Sequence, residues 1–276
     1  MPRLPWRKGK QDRPTQISEA LQAELDGDVG FMYPWALTDQ VQVEAMHPEL
    51  PSVHATREAL IEPLMREALA SGGRVVDLGA HEGYFSHRAL AWGADSVLAL
   101  DVREIDTRRA ELLRDHFSIS PEALQVRTAS VYDVDPAEIG QFDVVLVLGL
   151  IYHLENPIGA LRVAASLAKP GALVVVESQL TRQAEPIEHG WGVTGWVLHE
   201  PASWAARLEP AEEQEHTPLS AFGGVISLVP NQAALLQALQ VAGVDDVKIL
   251  KAEPDHNPQY VAVDRVVVAG RKTGAA

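Results

Sequence analysis

The chain has 276 residues, 46% of them hydrophobic and 22% charged, with no cysteine and a formal charge of −15. This is ordinary globular composition, enough for one large domain or two small ones, and it excludes disulfides, thiolate nucleophiles and cysteine-bound zinc. The longest apolar-or-glycine run, Val144–Ile151, is far short of the ~20 residues that cross a bilayer, and no apolar signal core follows Met1, so a cytoplasmic protein without a membrane partner is expected.

In chain order, the first 14 residues hold five bases and one acid, leaving the rest near −19. They read as a solvated terminus, and the acidic remainder works against nucleic-acid binding, which needs Lys and Arg against phosphates. A helix is predicted over Ile17–Leu25 and a stronger one over Thr56–Ala70, with Leu60, Leu64 and Leu69 on or near one face and Ser71-Gly72-Gly73 as its stop. Residues 1–72 form an N-terminal helical and irregular segment, and residues 73–276 the main domain. From Arg74 strands and helices alternate. Strands are predicted at Val75–Leu78, Val97–Leu100, Leu124–Thr128, Val144–Leu148 and Leu173–Val176. Helices fall at Tyr84–Trp92, after Asp101 (burying Ile105, Leu112, Leu113 and Phe117) and at Pro157–Ala168, where Lys169-Pro170-Gly171 stops it. Such alternation means an α/β, doubly wound, mostly parallel sheet.

Residues 179–229 break that rhythm and carry Trp191, Trp196 and Trp204 together with His189, His199 and His216. An excursion of this length in a compact domain is functional or disordered, and the tryptophans favour an inserted lid. Asn231 then caps a helix to Ala242. Strands at Val247–Leu250 and Tyr260–Ala269 have a connection too short for a crossover helix, so they pair antiparallel and complete seven strands.

The stretch Val75-Val76-Asp77-Leu78-Gly79-Ala80-His81-Glu82-Gly83-Tyr84-Phe85 puts Asp-x-Gly-x-x-x-Gly at the carboxyl end of the first strand. Ligands of open α/β sheets bind at such a switch point, where glycines allow close backbone approach and a helix N-terminus frees its amides. It is not the Gly-x-Gly-x-x-Gly dinucleotide fingerprint, because Asp77 replaces the first glycine. Asp101 ends the second strand, where an acid can accept bonds from both hydroxyls of a ribose.

These features resemble the class I S-adenosylmethionine-dependent methyltransferases over roughly Arg74 to Lys272, a Rossmann-like fold with an antiparallel last strand. The resemblance implies S-adenosyl-L-methionine as cofactor, with Gly79, Ala80 and Gly83 under its methionine part, Asp77 bracing the loop, Asp101 on the ribose and Val102 beside the adenine. Ser130 and the Val131 amide stand where the family often has an acid near the adenine amino group. His81 and Glu82 read as a loop brace or a contact to the cofactor's amino group, and no metal is expected, since Gly149-Leu150 offers no ligand.

The fourth-strand exit, Leu148-Gly149-Leu150-Ile151-Tyr152-His153-Leu154, lacks the Asp/Asn-Pro-Pro-Tyr of base-amine methyltransferases. With Tyr84-Phe85, Tyr33-Pro34-Trp35 and His54-x-x-Arg57 it is similar to a narrower group of small-molecule enzymes near the tRNA wobble-uridine carboxymethyltransferase. In that relative the tyrosine matching Tyr152 helps hold an extra carboxylate on the cofactor, and no basic residue of the lid here can be assigned as its partner. The implied reaction is methyl transfer to oxygen or nitrogen of a small-molecule acceptor. Tyr152 and His153 are the catalytic candidates, His153 as the base. Trp35, Arg57, His189, Trp191 and His199 are the acceptor-side candidates, with Glu200 and His216 as further lid groups. Two rivals are an RNA-modifying enzyme of the carboxymethyl type and a cofactor-binding protein without catalysis. The tryptophan-rich insert and the N-terminal segment offer surfaces for a homodimer.

Overall fold

The computed structural model describes residues 14–27, 29–182, 202–208 and 226–274. Its centre is a seven-stranded sheet with the order β10-β11-β7-β6-β3-β4-β5. The strands are β3 (Arg74–Leu78), β4 (Ser96–Asp101), β5 (Leu124–Thr128), β6 (Phe142–Leu148), β7 (Ala168–Gln179), β10 (Val244–Leu250) and β11 (Arg265–Lys272). Neighbours from β7 to β5 pair parallel, whereas β11 runs antiparallel to both β7 and β10. This is the doubly wound sheet with an antiparallel last strand that the sequence predicts. Val144–Leu148 and Val174–Val176 are buried throughout, because helices cover both faces of a parallel sheet.

Helices α3 (Tyr84–Trp92), α4 (Glu104–His116) and α6 (Pro157–Leu167) connect the parallel strands, with a short α5 (Pro136–Ile139) before β6. Helix α7 (Gln232–Val241) is capped by Asn231, whose side chain accepts from the Ala234 amide. The N-terminal elements, α1 (Glu19–Leu25), the two-residue strands β1 (Trp35–Ala36) and β2 (Gln42–Val43), and α2 (Leu50–Ala68), share one apolar cluster with the sheet. Leu21, Trp35, Leu37, Ile61 and Met65 are each 0–1% exposed within it. Burying five such side chains stabilises by roughly 1.5–3 kcal/mol each, so the segment is held by the same core as the sheet.

Three local expectations are corrected. Helix α2 begins six residues before Thr56, at Leu50, with Pro51 in its first turn, where a missing N–H costs nothing. Ile105 is 41% exposed rather than buried. Helix α4 instead turns in Asp106, Arg109, Ala110 and Leu113, since Arg109 donates to the Val29 and Gly30 carbonyls and to Glu24. Tyr260 is not in a strand: Asn257 caps a short helix α8 (Pro258–Val261), and the last strand starts only at Arg265.

The insert contributes one antiparallel ribbon among the described residues, β8 (Trp204–Leu208) paired with β9 (Ile226–Pro230). The Leu228 amide bonds the Leu154 carbonyl, which ties the ribbon to the exit of β6. The predicted lid groups His189, Trp191, Trp196, His199, Glu200 and His216 lie outside the described residues.

Candidate functional site

The carboxyl ends of β3, β4 and β6 open onto a cavity of about 700 Å3. Its glycine-loop wall depends on a turn that only glycine permits. Gly79 has φ 71, and a Cβ there would come within 3.1–3.3 Å of Leu150, so the loop needs glycine both for its torsion and for its packing against the β6 exit. The amides of Gly79 and Ala80 both bond the Leu100 carbonyl, fixing the loop to the end of β4. Beneath it Asp77 is 2% exposed and accepts from the Ser86 hydroxyl at 2.7 Å, while burial pushes its carboxyl up to about 6.

Glu82 is fully buried and braces the loop. It accepts from the Met32 amide (3.0 Å), the Tyr33 amide (2.7 Å) and the Trp35 indole N–H (3.1 Å), so one carboxylate bolts the N-terminal segment to the glycine loop. His81 Nδ1 lies 3.0 Å from Glu82 and 3.2 Å from Asp106. Burial opposes charge on the imidazole, but Asp106 and Glu82 overcome it and push the ring up to about 9. The ligand atoms of these three residues fall within 4.8 Å of one another, a grouping in which Glu82's oxygens are already engaged by the three N–H donors.

Asp101 stands on the cavity wall at the end of β4, its Oδ2 accepting from the His81 amide (2.8 Å) and its Oδ1 from the Arg103 amide (3.0 Å). Each oxygen keeps a lone pair, so the carboxylate is oriented by backbone and still able to receive a pair of hydroxyls. Val102, Ser130 and Val131 lie on the same wall, Ser130 capping the short turn Val131–Asp133 by accepting from the Tyr132 amide.

The opposite wall is built at the exit of β6. Gly149 has φ 79, and a Cβ there would stand 3.4 Å from Arg57 Nη2, 3.5 Å from the Tyr152 hydroxyl and 3.6 Å from Glu177 Oε2. Those side chains form a buried network. Arg57 Nη2 donates to Glu177 Oε2 (3.0 Å), while Arg265 Nη1 donates to Glu177 Oε1 (2.7 Å) and to the Tyr152 hydroxyl (3.1 Å). The Tyr260 hydroxyl adds a bond to Glu177 Oε1 at 3.1 Å. Burial works to raise the Glu177 carboxyl, and the Arg265 and Arg57 guanidiniums override it, holding the group below its ordinary value.

Two imidazoles border this end. Arg207, from the β8–β9 ribbon, lies with Nη2 3.2 Å from His153 Nδ1. Guanidinium can only donate, so the neutral His153 ring carries its hydrogen on Nε2. His54 Nε2 is 3.2 Å from the Met32 carbonyl, which can only accept, so the neutral His54 ring leaves its lone pair on Nδ1. Burial first and the Arg57 charge second hold His54 well below its ordinary value, and Nδ1 has no partner among the described residues.

Of the residues singled out by sequence, Gly79, His81, Asp101, Val102, Ser130, Val131 and Gly149 share one cavity with Arg57, Tyr152 and His153. Asp77, Ala80 and Gly83 sit behind the loop wall, and Trp35 is 1% exposed, its indole bonded to Glu82 rather than facing the cavity. Sequence reasoning missed Glu177, Arg265 and Asp106, and it quoted His54 only as part of the His54-x-x-Arg57 motif, without a site role. The one local signal was a charged residue, Glu177, inside an apolar strand, since a buried carboxylate needs cations brought to it.

The family described as "Methyltransferase domain" matches residues 53–249. A ubiquinone biosynthesis O-methyltransferase of Xanthomonas campestris pv. campestris is 28% identical over 167 residues, covering 60% of this chain and 64% of that protein. The chain therefore spans just under two thirds of that relative's length. Its counterpart in Ralstonia nicotianae is 30% identical over 132 residues, 46% of this chain and 51% of the relative. The crystal structure of the N-terminal domain of EvdMO1, in the presence of SAH and D-fucose, covers 94% of this chain and 100% of that one, with a TM-score of 0.61 and 22% identity. A methyltransferase from Mesorhizobium loti covers 79% of this chain and 100% of its own, with a TM-score of 0.51 and 19% identity. At these identities the structural likenesses speak for the fold.

Proposed function

This chain belongs to the methyltransferase-domain family, and we propose that it is an S-adenosylmethionine-dependent methyltransferase that methylates an oxygen or nitrogen of a small-molecule acceptor. The observation that carries this is the division of one cavity into two chemically different walls: Asp101 with the glycine loop on one side, the Gly149–Tyr152–His153 exit with Arg57 on the other. The name of the Xanthomonas relative supports oxygen as the first acceptor atom to test.

The residues present fit the cofactor. The Asp101 carboxylate is oriented by two backbone amides and retains lone pairs for a ribose diol, and Val102, Ser130 and Val131 stand beside it for the adenine. Gly79 brings backbone to the cavity wall, and Asp77 underpins that loop from behind. When bound, S-adenosylmethionine supplies an electrophilic methyl group on a sulfonium. The chain's principal task is alignment of the acceptor atom with that methyl, a proximity effect that rigid walls on β3, β4 and β6 suit.

A hydroxyl acceptor must also lose a proton. His153 takes it at Nδ1 in exchange for the Arg207 contact, with the Tyr152 hydroxyl holding the acceptor beside it. His54 is the second candidate on geometry alone: its lone pair sits on a buried Nδ1 without a partner among the described residues, and a proton taken there has to overcome burial and the Arg57 charge. Calorimetric titration with S-adenosylmethionine and S-adenosylhomocysteine, followed by label transfer from methyl-labelled cofactor to an acceptor panel, tests the proposal. Binding of both cofactor forms with transfer to a phenol or amine is expected. Binding with no transfer to any member favours a non-catalytic protein. His153→Gln and His54→Gln then assign the base, whose loss lowers kcat by ~10²–10⁴-fold.

A further inference from the structure

At the Gly149 end of the cavity the fold gathers two guanidiniums around a single carboxylate. Arg57 comes from α2, Arg265 from the start of β11 and Glu177 from β7, and their exposures are 4%, 7% and 0%. Both arginines line the cavity, as do Tyr33, Tyr152 and Gln259, whereas Glu177 lies behind them. The ion pairs found for both arginines end on Glu177, one on each oxygen. The remaining contacts are to neutral oxygens: Tyr152 and Gln259 for Arg265, and Tyr33 at 3.5 Å for Arg57. Arg57 Nε is buried and has no partner among the described residues. His54, packed 4.1 Å from the Tyr33 ring, is held neutral and adds no charge.

Burying a charge is expensive unless it is paired, and removing a guanidinium from water without a counterion is a cost that folding alone does not repay. Two such groups on one carboxylate leave a surplus of one positive charge facing a cavity. One arginine and the Tyr260 hydroxyl would already supply Glu177 with a counterion and a donor. A retained second arginine beside a ligand cavity is the arrangement that recognises a planar anion, because the guanidinium fork matches its two oxygens.

We propose that the Arg57–Arg265 pair is an anion receptor and that it takes a carboxylate carried by the methyl acceptor. This rests on the methyltransferase reading and narrows its acceptor to an acidic small molecule. The acid group docks against the guanidiniums behind Gly149, and the nucleophilic oxygen or nitrogen lies between it and the cofactor wall. The other source of a carboxylate in this cavity is the methionine part of the cofactor itself, and the two sources separate cleanly by experiment.

The probes are 3,4-dihydroxybenzoate, 3-hydroxybenzoate and their carboxamides, titrated calorimetrically into the full chain saturated with S-adenosylhomocysteine. Each carboxylate is expected to bind roughly 10–100-fold more tightly than its amide, the range that follows from a charge-assisted bond. Arg265→Gln is expected to abolish that preference while S-adenosylhomocysteine affinity stays within about twofold. Its fold should survive, because Arg57 and Glu177 then form a neutral pair, and the comparison of acid with amide in the unmodified chain needs no variant. Equal binding of acid and amide, or no binding of either carboxylate, overturns the proposal. A loss of S-adenosylhomocysteine affinity in Arg265→Gln with no acid preference in the parent also overturns it, by assigning the arginines to the cofactor. Failure of the unmodified chain to bind S-adenosylhomocysteine would instead remove the methyltransferase reading itself.

Discussion

Asp77 is held in a state its surroundings oppose. It is 2% exposed, its one side-chain donor is the Ser86 hydroxyl, and burial pushes its carboxyl from 3.8 up to about 6. A raised carboxyl binds its proton more tightly in the folded chain than in the unfolded one. The ionised group therefore subtracts stability above about pH 6 and subtracts nothing below the unfolded value; the difference is on the order of 3 kcal/mol. Asp77→Asn keeps the shape and removes the charge. It is expected to melt above the parent chain at pH 8, by an amount that shrinks steadily to nothing or reverses by pH 4, while the amide oxygen still accepts from Ser86 and keeps the loop braced. Paired thermal melts across that range check it, and a variant less stable than the parent at every pH would show that the Ser86 bond outweighs the buried charge. The same scale shows what a sequence hides. Asp77 and Asp101 were legible because each sits next to its own turn. Glu177, Arg265 and Asp106 were not, because their meaning lies in partners more than twenty residues away that only packing brings together.

At the scale of elements, the glycine loop and the N-terminal segment behave as one piece because of Glu82. Three N–H donors from Met32, Tyr33 and Trp35 converge on it. An unsatisfied buried donor costs ~1–3 kcal/mol, so with three donors Glu82→Ala should lower unfolding stability by roughly 3–9 kcal/mol, well beyond a typical surface change. Glu82→Gln is milder, since one carbonyl oxygen still accepts. Its sharper consequence falls on His81, whose charge is sustained by Asp106 and Glu82 against burial. The imidazolium contributes stability that is complete below its ordinary value of 6.5 and disappears as pH rises through about 9. In Glu82→Gln that upper limit should move down, and an NMR titration of the His81 ring reads the shift directly. An unmoved titration would leave Asp106 as the sole partner. Elements were legible wherever a strand is covered on both faces, since Val144–Leu148 then has to be apolar throughout. They were misread where polar packing or a cap competes: Arg109 reaching the Val29 and Gly30 carbonyls rotates α4 away from Ile105, and the Asn257 cap converts the start of an apolar run into a helical turn.

Across the whole molecule the charges are sorted by sign. The formal charge is −15, and the first 14 residues carry five of the 23 basic side chains. Several of the remaining cations are turned inward: Arg57 on Glu177, Arg88 on Glu58 and Arg109 on Glu24, each guanidinium 4% exposed or less. Binding to a polynucleotide draws its affinity from Lys and Arg laid against phosphates and weakens steeply with added salt. A body that carries a formal charge near −19 beyond its first 14 residues has little to offer such a partner. A transfer RNA titrated at low ionic strength is therefore expected to show no binding to this chain, and the small cavity behind Gly149 is left as the acceptor site. The basic first residues are the one feature that could reverse this, so the titration is run on the chain with and without residues 2–13. Salt-sensitive binding by both forms would move the acceptor from small molecules to RNA. Binding that vanishes with the deletion would confine the contact to the terminal arm and leave the cavity to a small acceptor.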